Sequence, residues 1–155
     1  MRNIFFMLFL FLATSSYSQK RSDFDFIIVI DETIVTSLSN SKLLIKRDTE
    51  TLSHINVSYK PGNLSLETSK YNLIANSEDD VYLKFDYYEY LGNKQKLFNY
   101  DFKIGKNWFE QPYLILRIYN TCKRKYKRKL TPIKGTNYAI DIDYGTGSTI
   151  QIRKP

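Results

Sequence analysis

The chain has 155 residues, 43% hydrophobic and 15% aromatic, with a formal net charge of +7. That apolar content excludes a disordered chain, and a single cysteine, Cys122, excludes an intramolecular disulfide framework. With His54 as the only histidine, the chain also lacks the ligands for a structural zinc site, and its few scattered glycines form no phosphate-cradling loop.

The first residues, Met1-Arg2-Asn3, are short and basic, and an unbroken apolar run follows from Ile4 to Ala13. Thr14 to Ser18 is polar, with small side chains at Ser16 and Ser18. This is the pattern of a secretion signal, because a signal peptidase accepts only small residues one and three positions before the cut. The spacing predicts cleavage between Ser18 and Gln19. As a helix, the apolar run is about 15 Å long against a hydrocarbon core of roughly 30 Å, too short to anchor the chain. No cysteine stands at the new N-terminus to accept a lipid, and no later segment reaches eighteen apolar residues. The expectation is a signal peptide at 1–18 and a single domain at 19–155, with no membrane span after cleavage. A composition rich in Lys, Asn, Ile and Tyr with one cysteine suggests a bacterial protein of the periplasm, cell surface or medium.

Removing residues 1–18 also removes Arg2, leaving 22 basic residues against 16 acidic ones. Six of the 22 lie between Lys123 and Lys129 with no acid among them, and without them the balance is even. The excess charge is therefore local.

Residues 24–30 alternate and then become continuously apolar, as a strand that Thr33 to Thr36 continues beyond Asp31-Glu32. Short strands are predicted at 42–46 and 54–60, the second alternating Ile55, Val57 and Tyr59 against polar residues. Pro61-Gly62-Asn63 forms a turn. The stretch 69–76 reads equally as a short helix or an irregular crossover. Val81, Leu83, Phe85 and Tyr87 then share one strand face, with Tyr82, Lys84, Asp86 and Tyr88 on the other. Leu91-Gly92-Asn93-Lys94 reads as a hairpin leading into a strand at 98–104. Trp108-Phe109 follows the Gly105-Lys106-Asn107 break and reads as core. Residues 113–119 are apolar on both faces except at Arg117, as in a central strand, and a last hairpin pairs 138–144 with 148–153. About eight closely spaced strands predict an all-β, antiparallel β-sandwich with Greek-key connections, immunoglobulin-like or transthyretin-like.

Two surfaces are candidates for binding. Lys123, Arg124, Lys125, Lys127, Arg128 and Lys129 form an anion-binding patch for polyanions, with Tyr126 placed to stack. The alternative is a solvated turn or edge strand whose charges repel other strands. Tyr82, Tyr88 and Tyr90 share a strand face and form a candidate glycan platform; cross-strand aromatic packing is the alternative. Asp141, Asp143, Gly145 and Gly147 resemble a calcium loop only superficially, lacking the bidentate Glu, and read as a hairpin with two solvent-facing carboxylates. A Cys122–His54 catalytic pair has no supporting pattern, whereas a carboxylate pair would be invisible in sequence.

The combined reading is an exported, non-catalytic interaction or accessory module with an unidentified protein or cell-envelope partner and no cofactor. Glycan or polyanion binding is the second reading, and a small carboxylate-dependent hydrolase the third. Export argues against nucleic acid as the partner.

Overall fold

The computed structural model describes residues 20–144 and 149–151. The expected signal segment at 1–18 and the Gly145-Thr146-Gly147 turn lie outside the described residues. The elements run β1 (Arg21–Phe24), β2 (Phe26–Ile30), β3 (Thr33–Ile34), β4 (Ser39–Arg47), β5 (Glu50–Asn56), β6 (Ser58–Lys60) and β7 (Asn63–Glu67). Helix α1 (Thr68–Asn76) leads into β8 (Asp80–Leu91) and β9 (Lys94–Ile104), then a 3-10 turn (Lys106–Glu110). The chain continues through β10 (Leu114–Asn120), the one-turn helix α2 (Arg124–Lys127), β11 (Tyr138–Tyr144) and β12 (Thr149–Gln151).

The described residues are mostly strand, in three sheets that do not close into a barrel. One sheet has the order β12-β11-β10-β2-β3, a second β5-β4-β8-β9, and a small third β1-β7-β6. All pairings are antiparallel except β2 with β10, which run parallel from Phe26↔Leu114 to Ile30↔Ile118. The described residues thus hold twelve strands where the sequence predicts about eight. Two predicted strands are cut because the chain changes sheet within them. Residues 24–30 divide at Asp25, sending β1 to the small sheet and β2 to the five-stranded one. Residues 54–60 divide at Val57, which bonds its N–H to the Ser41 carbonyl and hands the chain from β5 to β6.

Two-residue turns close the main hairpins. Pro61-Gly62 joins β6 to β7, and Gly92-Asn93 joins β8 to β9, with Gly62 and Gly92 at positive φ (85° and 62°), where a side chain is strained. The inner faces of the two larger sheets meet in one core, where Ile28, Leu116 and Ile118 pack in the same cluster as Leu43, Leu83 and Phe85. Trp108 and Phe109 are buried in that cluster, and Phe109 meets Phe24 edge-on at 4.9 Å. Residues 69–76 resolve as helix α1, which buries Ile74 in the core and sets Tyr71 against Phe24.

Two buried tyrosines fasten one sheet to another. The Tyr138 hydroxyl of β11 donates to the Asp101 carbonyl at 2.9 Å and accepts from its N–H at 3.3 Å, covering the edge of β9 at that point. The Tyr59 hydroxyl of β6 accepts from the Ile28 N–H at 2.9 Å and donates to the Val35 carbonyl at 3.2 Å. Tyr59→Phe keeps the ring but leaves the buried Ile28 N–H without this acceptor. It is expected to lower unfolding free energy by about 1–3 kcal/mol in urea titration; an unchanged midpoint would mean the bond adds nothing.

Candidate functional site

The long β8–β9 hairpin obeys a two-residue alternation. Val81, Leu83 and Phe85 enter the core, so Tyr82, Lys84, Asp86, Tyr88 and Tyr90 stand on the outer face of the sheet. Toward the hairpin end, Tyr88 lies opposite Leu97 and Tyr90 opposite Gln95. Tyr88, Tyr90 and Leu97 are 36%, 72% and 46% exposed, forming an apolar cluster on one side of the hairpin. Gln95 donates its amide to the Tyr90 hydroxyl at 3.1 Å and orients that ring.

Beside this cluster sits a fixed polar group. The Asp86 carboxylate accepts from Asn40 Nδ2 at 2.6 Å on β4 and from Asn99 Nδ2 at 2.5 Å on β9. Asn40 reaches Asp86 because β4 bulges there: Ser39 pairs with Asp86 and Lys42 with Lys84, leaving one extra residue on β4. Asn40 itself has a φ of 51°, a left-handed conformation that Asn tolerates better than most residues. No local pattern in the sequence marks Asn40 or Asn99 as partners of Asp86, since the contacts span 46 and 13 residues.

The structure thus brings Tyr88 and Tyr90 together but places Tyr82 apart. Six residue steps of strand separate Tyr82 from Tyr88, about 20 Å. Lys46 Nζ also lies over the Tyr82 ring, 4.1 Å from its centroid.

The basic run has a different surrounding from the one its sequence suggests. Lys123 Nζ binds Asp31 Oδ2 at 2.8 Å and Glu89 Oε1 at 2.9 Å, and Lys125 Nζ binds Glu32 Oε2 at 2.5 Å. Burial pulls the Lys123 ammonium down, but hydrogen bonds and charges from Asp31 and Glu89 outweigh it and hold its pKa above the usual lysine value. Asp31 and Glu32 form the two-residue β2–β3 turn, both at positive φ (49° and 72°). Asp31 Oδ1 further accepts from the Asn120 N–H at 2.8 Å, closing the end of β10. Tyr126 is only 6% exposed and packs on Tyr119 with ring centroids 5.1 Å apart, so its face is not presented to a ligand. Arg124, Lys127, Arg128 and Lys129 are exposed around it.

Asp141 is buried rather than solvent-facing, at 4% exposure, in register with Arg117. Asp143 is half-buried and binds the Arg117 guanidinium at 3.3 Å. The alternation does put both on the outer face of their sheet, but Arg117 and Tyr119 on the adjoining strand crowd that face. Gly145 and Gly147 lie outside the described residues, among which no group of three or more His, Cys, Asp or Glu side chains converges.

His54 is exposed on β5, opposite Leu44, whereas the exposed Cys122 follows β10 in the other large sheet, and no hydrogen bond joins the two among the described residues. An open groove of about 500 Å³ lies between β9 and the 135–138 loop, lined by Asn99, Asp101, Gly135, Thr136, Asn137 and Tyr138. Its lining includes one carboxylate, Asp101, which is engaged by Lys46 at 3.2 Å. Acid-base glycoside hydrolysis uses two carboxyl groups.

Comparison of the chain with protein-family models, curated proteins and solved structures finds no significant match.

The amides of Asn40 and Asn99 hold the Asp86 carboxyl below its usual range; slight burial opposes them, and Lys84 and Lys42 add to the lowering. A depressed folded-state pKa means the interaction stabilises fully above about pH 4 and is lost as pH falls through the folded value. In a carboxyl NMR titration Asp86 is expected to titrate below free aspartate, and the Asn40→Ala, Asn99→Ala double variant to return it toward about 3.9. An unshifted wild-type titration would contradict the clamp.

Proposed function

We propose that this chain is an exported, non-catalytic binding module of the Greek-key β-sandwich kind. It meets a cell-envelope partner through the outer face near the end of the β8–β9 hairpin. The observation that carries this reading is the concentration of exposed Tyr88, Tyr90 and Leu97 beside the hydrogen-bonded Asn40–Asp86–Asn99 set. Contiguous exposed apolar surface rimmed by polar groups is the mark of a contact site, and tyrosines contribute strongly to such contacts. Export is supported by the pattern of residues 1–18. The engagement of Lys123 and Lys125 with Asp31, Glu89 and Glu32 favours this face over the basic run.

Protein recovered from the exported fraction is expected to start at Gln19 and to co-sediment with cell-envelope material. The Tyr88→Ser, Tyr90→Ser double variant should weaken that association by about tenfold or more without unfolding. Equal sedimentation of wild type and variant would contradict the assignment of this face.

A further inference from the structure

Lys42 of β4 and Lys84 of β8 stand directly opposite each other on the same outer face. Like charges paired across strands cost stability. Neither ammonium forms an ion pair with a carboxylate among the described residues, whereas Lys46 and Lys103 on the same face are matched by Asp101 and Asp80. Two acids adjoin the pair on this face: Asp86, two residues along β8, is held by the two asparagine amides, and Asp101, directly opposite Lys84 on β9, is engaged by Lys46 at 3.2 Å. Lys42 and Lys84 therefore form a cationic pair suited to one anionic group.

The neighbouring positions make this more than an ion site. Lys84, Asp86, Tyr88 and Tyr90 point to one side of one strand, at steps of about 7 Å and over a total of about 20 Å. An extended ligand lying along β8 meets, in order, a cationic pair, a fixed set of hydrogen-bonding groups and two tyrosine rings. A uniform polyanion, charged at every repeat, would press negative charge onto the Asp86 carboxylate. A sugar chain brings hydroxyls to that point: Asp86 accepts from them, and the asparagine carbonyl oxygens accept as well. The apolar face of a sugar ring suits an exposed tyrosine.

We propose that this face binds a polysaccharide in which acidic and neutral sugars are mixed, laid along β8. A sugar carboxylate sits between Lys42 and Lys84, hydroxyls meet Asp86 and its asparagines, and ring faces rest on Tyr88 and Tyr90. The assignment rests on the preceding reading of the face as the binding surface and names its ligand class.

The test is calorimetric titration of the exported protein at low salt with three probes: hyaluronate oligosaccharides, which alternate acidic and neutral sugars, neutral dextran and densely sulfated heparin. Hyaluronate is expected to bind at least about tenfold more tightly than dextran. Lys84→Gln should erase that preference, Tyr90→Ala should weaken hyaluronate by about tenfold, and an Arg124→Gln, Arg128→Gln, Lys129→Gln variant should bind as wild type. Circular dichroism checks that each variant remains folded. Absence of hyaluronate binding, binding of heparin alone, or loss of binding only in the Arg124/Arg128/Lys129 variant would overturn the proposal. If no sugar binds while envelope association still depends on Tyr88 and Tyr90, the ligand class fails and the binding face stands.

Discussion

The two-residue alternation of β8 is the constraint on which the rest of the structure depends. Phe85 is fully buried, and on its inner side the strand also sends Val81 and Leu83 into the core, matched on β9 by Ile104, Phe102 and Tyr100. A slip of one residue would drive Lys84 and Asp86 into that apolar interior, at a cost no packing gain offsets. The register that completes the core therefore also sets Lys84, Asp86, Tyr88 and Tyr90 in a line outside it. Core and candidate site are two sides of one strand.

The hairpin continues past the core, and its end is held from the inner side. Glu89 belongs to the inward-facing set of β8 but meets Lys123 instead of apolar side chains. Lys123 also binds Asp31, and Asp31 closes the end of β10 through the Asn120 N–H. The hairpin end is thereby tied to the β2–β3 turn and the five-stranded sheet, while its outer side remains exposed. Residues 123–129, which sequence offers as a ligand patch, contribute through Lys123 and Lys125 to this scaffold. Holding Asp31 and Glu32 at positive φ costs on the order of 1–3 kcal/mol each, and the hydrogen bonds and ion pairs they make offset that strain.

Much of this was legible in the residues. The alternation of 81–88 and of 98–104, the turns at Pro61-Gly62 and Gly92-Asn93, and the burial of Trp108-Phe109 all follow from local pattern. Residues 69–76 gave no decision between helix and crossover, because α1 buries only Ile74 in full and has too weak an apolar stripe to announce itself. Contacts of long sequence separation were invisible: the parallel β2–β10 pairing, the acids facing Lys123 and Lys125, and the β4 bulge that brings Asn40 to Asp86. The tyrosines show the limit most simply. Parity placed Tyr82, Tyr88 and Tyr90 on one side of a strand, but parity carries no distance, and Lys46 occupies the Tyr82 ring.

The central claim is that the outward-facing line of β8 is where the protein meets its ligand. Amide chemical-shift mapping on the labelled protein, with hyaluronate oligosaccharide as titrant, tests it most directly. The account predicts that the largest shifts fall on Asn40, Lys84, Asp86, Tyr88, Tyr90 and Asn99. Shifts confined to residues 122–130, or spread with no preference for β8, would contradict it.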